Sequence, residues 1–193
     1  MKIFARSGIV ADIRRIRLDS DYLSVKGLRK FNQGGLDSLC SVYAVVNTYK
    51  IIKDATDDES NEMFNKIIKY LHKKRILCDT IIEGTSHKTM SKIIREIVGK
   101  DFSEVINLYK WGEYSISAWW DYMKEYSDNG YKIILSIGGI RNHYSIVGKM
   151  THKTMFMIDS NGLDKVRKKD CEIQGYDKED KYVIYPSQCF IIR

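Results

Sequence analysis

The sequence predicts an α+β fold, with helices in the earlier part of the chain and antiparallel strands in the later part. Apolar residues recur at helical spacing between residues 37 and 126, and the period changes to two after Gly130. Helices followed by strands are typical of the α+β class. The 193 residues are 44% hydrophobic and 30% charged, which excludes a disordered or fibrous chain. With one proline and no Pro-rich linker, we expect a single domain over residues 1–193.

Four stretches predict helices. The first runs from Asp37, as N-cap, to about Ile52. The second opens with a capping box at Thr56 and Glu59 and closes on the basic residues 73–75. The other two cover residues 86–98 and 117–126, and Asn129-Gly130 ends the last one.

Five stretches predict strands: residues 132–137, 143–150, 154–159, 183–185 and 188–192. The charged segment 163–180 predicts a loop, and the first 30 residues favour a short hairpin. Gly138 and Gly139, just before the second strand, suit either a loop that moves or a tight turn.

Charge and cysteine usage limit the classes of function. Lys and Arg exceed Asp and Glu by 32 to 25, a net charge of +7 that permits an acidic partner. No apolar stretch is long enough to span a bilayer or to act as a signal peptide, so we expect a cytoplasmic protein without a membrane partner. The four cysteines are widely spaced, which indicates neither a zinc site nor disulfides, and we expect no metal and no cofactor.

Cys40 is the cysteine whose position favours nucleophilic chemistry. With Asp37 as N-cap, Cys40 is the third helical residue, so its sulfur lies near unpaired backbone N–H groups and the positive end of the helix dipole. Both favour the thiolate, which is the nucleophile in covalent catalysis. The same N–H groups can stabilise an oxyanion that forms beside the sulfur.

His143 supplies a candidate base. If strands 143–150 and 154–159 pair around a turn at residues 151–153, Asp159 lies opposite His143, with Cβ atoms about 5 Å apart. A carboxylate there accepts one imidazole N–H and leaves the other ring nitrogen as general base. A one-residue register slip would replace Asp159 by Ser160 or offset it, and Asn161 is a further candidate partner. The other histidines lie at a helix end, near a helix start and in the turn; they are His72, His87 and His152.

These features together resemble the papain-like cysteine peptidase superfamily, in particular small bacterial members such as the bacteriocin leader peptidases. The resemblance covers residues 33–50 and 131–161. It rests on the segment Gln33-Gly34-Gly35-Leu36-Asp37-Ser38-Leu39-Cys40-Ser41 before an apolar helix, on His143-Tyr144-Ser145 in a strand, and on Asp159 at the end of the next strand.

The resemblance implies a papain-like fold, with the nucleophile at a helix start packed on a C-terminal antiparallel sheet. It implies a thiol hydrolase that cleaves a peptide, isopeptide or amide bond of a protein substrate, with acyl transfer and deamidation as related outcomes. Cys40 would be the nucleophile, His143 the general base and acid, and Asp159 the orienting carboxylate. Gln33 would donate its side-chain amide to the oxyanion, together with the backbone N–H of Cys40.

Two departures from the family pattern keep other interpretations open. Gln33 stands one residue further from the cysteine than is usual, and Ser41 follows the cysteine where Gly or Trp is common. The runs Asp37-Ser38-Leu39-Cys40 and His143-Tyr144-Ser145 also resemble the ovarian-tumour-type deubiquitinases, whose histidine lies nearer the C-terminus. A catalytically inactive interaction protein on the same fold is a further alternative.

A nucleic-acid-binding module is the alternative of a different class. It is supported by the net charge of +7 and by basic runs at residues 14–17, 73–75 and 165–169. No helix-turn-helix, zinc-finger or RNA-recognition pattern accompanies these runs. We therefore expect a protein or peptide substrate, and expect the positive charge to steer an acidic one.

Overall fold

The helices lie mostly before the sheet in the chain. The computed structural model describes residues 30–33, 37–108, 115–174 and 180–193. Within these residues the helices are α1 (Cys40–Lys53), α2 (Asp57–Lys73), α3 (Leu77–Glu83), α4 (His87–Ile93) and α5 (Ile116–Asp128). A π-helical turn (Ile94–Val98) and a 3-10 turn (Gly99–Asp101) continue α4. The α+β class expected from the sequence is confirmed.

The described residues form one eight-stranded sheet. Its strands are β1 (Val105–Asn107), β2 (Lys132–Gly139), β3 (His143–Met150), β4 (Thr154–Ile158), β5 (Lys165–Arg167), β6 (Cys171–Ile173), β7 (Tyr182–Ile184) and β8 (Phe190–Ile192). The main order is β1-β8-β2-β3-β4-β5, with antiparallel pairing throughout. β7 pairs antiparallel with the far end of β2, and β6 pairs in parallel with β7.

The first helix begins later than the sequence suggests. Leu39, not Asp37, is the N-cap residue, so Cys40 is the first residue of α1 and not the third. The Asp37 carboxylate accepts the Leu39 N–H at 3.1 Å, which forms a turn before the helix where a cap was expected. The predicted capping box of α2 is confirmed, because the side chains of Thr56 and Glu59 each accept the other's backbone N–H.

The prediction of a loop over residues 163–180 is wrong, because β5 and β6 both lie in this segment. In β5 the buried Val166 stands between exposed Lys165 and Arg167. A single apolar residue among charged ones is too short an alternation to predict a strand. Helix α3 and strand β1 are also elements that the sequence did not indicate. The hairpin expected at the start of the chain falls on residues 1–29, outside the described residues.

The sheet is covered on both faces. Helices α1, α2 and α4 pack on one face, where Ile134 and Ile146 are fully buried. On the opposite face, α5 packs Trp119 and Trp120 against a second apolar layer that includes Ile133. Strand β2 is therefore buried on both sides, which explains its nearly continuous apolar run. None of the described helices is long and apolar enough to cross a membrane.

Candidate active site

A cleft of about 660 Å³ opens where the first turn of α1 meets the start of β3. Three of the four candidate residues line it: Gln33, Cys40 and His143. The fourth, Asp159, is fully buried behind His143. The other lining residues are Ser38, Glu83, Gly84, Thr85, Ser136, Ile137, Arg141, Asn142, Tyr144, Asn161, Tyr185 and Gln188.

Cys40 is the cysteine that faces the cleft. It is partly exposed, and the backbone N–H of Tyr144 donates to its sulfur at 3.4 Å. Cys171 and Cys189 are buried, and burial raises the pKa of both thiols, that of Cys171 to about 12. Cys78 is exposed in α3 and does not line the cleft. The Tyr144 N–H holds the Cys40 sulfur against the start of β3.

The residues before and after Cys40 are tied to the segment that follows α3. The backbone N–H of Ser38 donates to the Ile81 carbonyl at 2.9 Å, and its hydroxyl donates to the Ile82 carbonyl at 3.1 Å. The hydroxyl of Ser41 donates to Thr85 Oγ1 at 2.5 Å. These bonds fix the start of α1 against α3, so the position of the sulfur is set by two elements.

His143 is hydrogen-bonded to Asp159. Its Nε2 lies 2.5 Å from Asp159 Oδ1, and the other carboxylate oxygen accepts the backbone N–H groups of Asn161 at 2.8 Å and Leu163 at 2.9 Å. The carboxylate is thus anchored by the turn that follows β4. Of the two candidate partners of His143, Asp159 is the one whose side chain bonds the imidazole. Asn161 contributes only its backbone N–H, which donates to Asp159.

The predicted register of this hairpin is wrong. Ile146 pairs with Ile158, and this register continues to place Ser145, not His143, opposite Asp159. The register shifts between Val147 and Lys149, where β3 carries a bulge that periodicity does not reveal. Asp159 therefore reaches His143 along the diagonal, which is still within hydrogen-bond distance.

His143 and Asp159 each shift the pKa of the other toward the charged form. Burial lowers the pKa of His143, but its hydrogen bonds with Asp159 and Cys40 and the charges of both raise it to about 9. Burial raises the pKa of Asp159, but His143, the Ser145 hydroxyl and the Leu163 N–H lower it to about 2. Ser145 Oγ has no hydrogen-bond partner among the described residues, so its effect on Asp159 is electrostatic.

The two ring nitrogens of His143 have separate partners. Because Nε2 faces Asp159, the interaction with Cys40 falls to Nδ1. At neutral pH the imidazole is protonated and lies between a carboxylate and the sulfur. This arrangement can hold a thiolate and can deliver a proton to a group that binds beside it.

Gln33 is held beside Cys40 by both its backbone and its side chain. Its backbone N–H donates to the Ser160 carbonyl at 2.9 Å, next to Asp159 in the chain. Its side-chain amide donates to the Asp37 carbonyl. An amide carries two N–H donors, so this bond leaves one for the cleft. Gly34 and Gly35, between these anchors, lie outside the described residues.

The structure therefore brings together all four candidate residues, and the remaining histidines lie elsewhere. His87 stacks on Phe190, and burial lowers its pKa, while His72 is in the last turn of α2. Sequence reasoning missed the backbone N–H of Tyr144 and the anchoring role of Ser38. A backbone donor leaves no trace in residue identity, and α3, which receives Ser38, was itself not predicted.

Comparisons with known proteins add no relative. No protein-family model matches the chain, and neither a curated protein nor a solved structure matches it.

Proposed function

We propose that this protein is a cysteine hydrolase with a papain-like arrangement of its site, acting on a peptide, isopeptide or amide bond of a polypeptide. The observation that carries the proposal is the placement of His143 between the Cys40 sulfur and the buried Asp159 carboxylate. A protonated imidazole paired with a sulfur inside an open cleft suits nucleophilic attack on a carbonyl carbon.

In the proposed reaction, the Cys40 thiolate attacks the carbonyl carbon and forms a C–S bond, and the carbonyl electron pair moves to oxygen. His143 gives its Nδ1 proton to the leaving nitrogen as the C–N bond breaks, which leaves a thioester. His143 then takes a proton from water, whose oxygen attacks the thioester and releases Cys40 as thiolate. Asp159 keeps Nδ1 directed at the sulfur throughout by holding Nε2.

The negative charge that develops on the substrate oxygen needs a donor. The second amide N–H of Gln33 is suited to this role, because the bond to the Asp37 carbonyl holds the amide in place before substrate binds. The backbone N–H of Cys40, at the start of α1, is the second proposed donor. An amine in place of water would give acyl transfer by the same steps.

The reactivity of the cysteines tests the proposal. Cys78 is more exposed than Cys40, so exposure alone predicts that iodoacetamide modifies Cys78 first. We expect the reverse at pH 7, with Cys40 modified at least about tenfold faster because its sulfur pairs with His143. Quantitative mass spectrometry of the two tryptic peptides over time measures both rates in the same sample.

Matched variants complete the experiment. C40A should abolish cleavage of a mixed peptide library and leave the circular dichroism spectrum unchanged, whereas C78A should keep both. H143A should reduce the Cys40 rate to that of Cys78. Equal rates in the native protein would remove the hydrolase proposal and favour an inactive fold. Cleavage by C40A would show that Cys40 is not the nucleophile and would also remove the proposal.

The same protein samples also test the alternative that the protein binds nucleic acid. Its basic runs within the described residues lie at the end of α2 and around β5, and neither lines the cleft. Retention on DNA or RNA that weakens with salt, together with a slow Cys40, would favour a binding module.

A further inference from the structure

The cleft walls carry two oppositely charged side chains besides the reacting groups. Among the described residues that line it, these are Glu83 at the end of α3 and Arg141 between β2 and β3. The other lining side chains are mostly uncharged and polar. A bound substrate therefore meets one cation beside the base and one anion on the wall built from α3.

Arg141 is fixed at the rim. Its guanidinium donates to the Asn161 carbonyl at 2.6 Å, and the Asn161 N–H donates to the Asp159 carboxylate at 2.8 Å. This bond ties the segment before His143 to the segment after Asp159. It uses one of the five N–H donors of a guanidinium, so the fork keeps donors for a planar acceptor. Such a fork matches a carboxylate better than any other group of a polypeptide.

Exposed isoleucines stand next to both charges. Three large apolar side chains are exposed in the described part of the chain: Ile82 at 74%, Ile140 at 53% and Val105 at 36%. Ile82 directly precedes Glu83, and Ile140 directly precedes Arg141. Exposed apolar side chains that directly precede two lining residues of a cleft indicate contact with a chain that continues beyond it, which a small metabolite does not provide.

Building on the proposed hydrolase function, we propose that Arg141 is a specificity-determining residue that binds a carboxylate of a polypeptide substrate. Ile82 and Ile140 contact the apolar side chains that flank this carboxylate. Glu83, on the other wall, disfavours a second acidic group there, so the pair of charges also sets the direction in which the substrate lies. The carboxylate is either an Asp or Glu side chain or the C-terminal group of the substrate.

The test starts from a peptide library cut by the native protein, with cleavage sites mapped by mass spectrometry. We expect Asp or Glu at a fixed distance from the cleaved bond, or cleavage at a fixed distance from the C-terminus. The best peptide is then made with the acidic residue replaced by its amide, and separately with an amidated C-terminus. The change that lowers kcat/KM, by about tenfold or more, identifies the source of the carboxylate.

The variant R141Q should lose this discrimination. Its kcat/KM for the carboxylate peptide should fall to the value for the matched amide peptide, and its kcat/KM for the amide peptide should not change. R141K keeps the charge and loses the fork, so we expect intermediate discrimination. R95Q, a change at an exposed arginine outside the cleft, is the control and should behave as the native protein.

Failure of the hydrolase proposal and failure of the role proposed for Arg141 give different results. If iodoacetamide modifies Cys40 no faster than Cys78, the hydrolase proposal itself fails. If cleavage depends on Cys40 but both peptides of a pair are cut equally by the native protein, or R141Q slows both equally, the role of Arg141 is wrong. R141Q and R141K are compared with the native protein by circular dichroism, and R141K alone decides the matter if R141Q does not fold.

Discussion

His143 lies between two acceptors, one at each ring nitrogen. Asp159 holds Nε2 from the buried side, and the Cys40 sulfur takes the side that faces the cleft. Burial opposes a charged ring, yet the two partners together raise its pKa to about 9. The charge on the ring therefore depends on both partners, and the loss of either one should be visible in its titration.

The first prediction at this scale concerns the pH dependence of cleavage. Because the raised pKa keeps His143 protonated below about 9, we expect kcat/KM for a peptide to fall as the pH rises through about 9, where the general acid is lost. D159N should lower kcat/KM by about 10²–10⁴-fold and move this limb toward the ordinary histidine value of 6.5, since the largest supporting interaction is gone. A pH–rate profile of both proteins measures it.

If kcat/KM of D159N falls at the same alkaline pH as that of the native protein, Asp159 does not raise the pKa of His143 and the prediction is wrong. C78A is the matched control, because it changes an exposed side chain outside the cleft.

Sequence reasoning placed the candidate residues better than it placed their contacts. Cys40 and His143 could be selected because a helix start and a strand are visible from apolar periodicity. The choice of Asp159 over Asn161 depended on a register that the bulge in β3 alters, so the expected opposition became a diagonal contact. Backbone donors such as the Tyr144 N–H depend on the tertiary fold alone.

At the scale of elements, the end of β2 shows why two glycines precede the segment that leads to His143. A Cβ on Gly138 would lie 2.3 Å from Tyr185 Oη and 2.5 Å from Cε2, and one on Gly139 would lie 2.1 Å from the Lys181 carbonyl oxygen. Gly139 also has φ +73°. Both glycines pair with β7, so close packing against the neighbouring segment explains them.

The second prediction follows from this packing. G138A should destabilise the protein by about 1–3 kcal/mol, because the aromatic ring of Tyr185 must leave its place on the strand. Urea unfolding of G138A, Y185A and the double variant measures the effect. In the Y185A background the alanine should cost much less, since the overlapping ring is gone.

An equal cost in both backgrounds would show that strand geometry, not the ring, excludes alanine. Since Tyr185 lines the cleft, G138A should also lower kcat/KM for the peptide, while Cys40 should keep its rate with iodoacetamide.

The elements that sequence reasoning found are those with strong local signals. The capping box fixes the start of α2 through contacts between neighbours in the chain. Strand β5 and helix α3 were not predicted because their formation depends on tertiary partners. Strand β5 pairs with β4, and α3 accepts the hydrogen bonds of Ser38. Short elements of this kind are specified by what they pack against.

For the whole molecule, the buried pair links the site to stability. The pKa of Asp159 is lowered from 3.8 to about 2, so its contribution to folding is complete above 3.8 and is lost as the pH falls toward 2. The pKa of His143 is raised from 6.5 to about 9, so its contribution is complete below 6.5 and is lost as the pH rises through 9.

The third prediction is a window of pH in which this pair stabilises the fold most. We expect the free energy of unfolding of the native protein, minus that of H143Q, to be largest between pH 3.8 and 6.5 and to shrink on both sides. Urea titrations of the two proteins from pH 2.5 to 9.5 (about seven values suffice) measure it. A difference that does not vary with pH would mean that H143Q acts through packing.

The net charge of +7 illustrates what composition leaves undecided. Lys165 and Arg167 point outward on β5, an edge strand, where charged side chains also hinder pairing with another chain. The cleft, by contrast, is lined by one cation and one anion besides Cys40 and His143. The net charge of the chain does not distinguish basic side chains on an edge strand from basic side chains that line the cleft.

The position of β8 has a consequence for how the protein is made. This strand, near the end of the chain, lies inside the sheet between β1 and β2. A ribosome that adds about 5–20 residues per second needs roughly 8–30 s to pass from Cys40 to Ile192. Until then β1 and β2 lack the strand that joins them, and the sheet that carries His143 is incomplete. We therefore expect the contacts that join Cys40, His143 and Asp159 to form only after β8 has been translated.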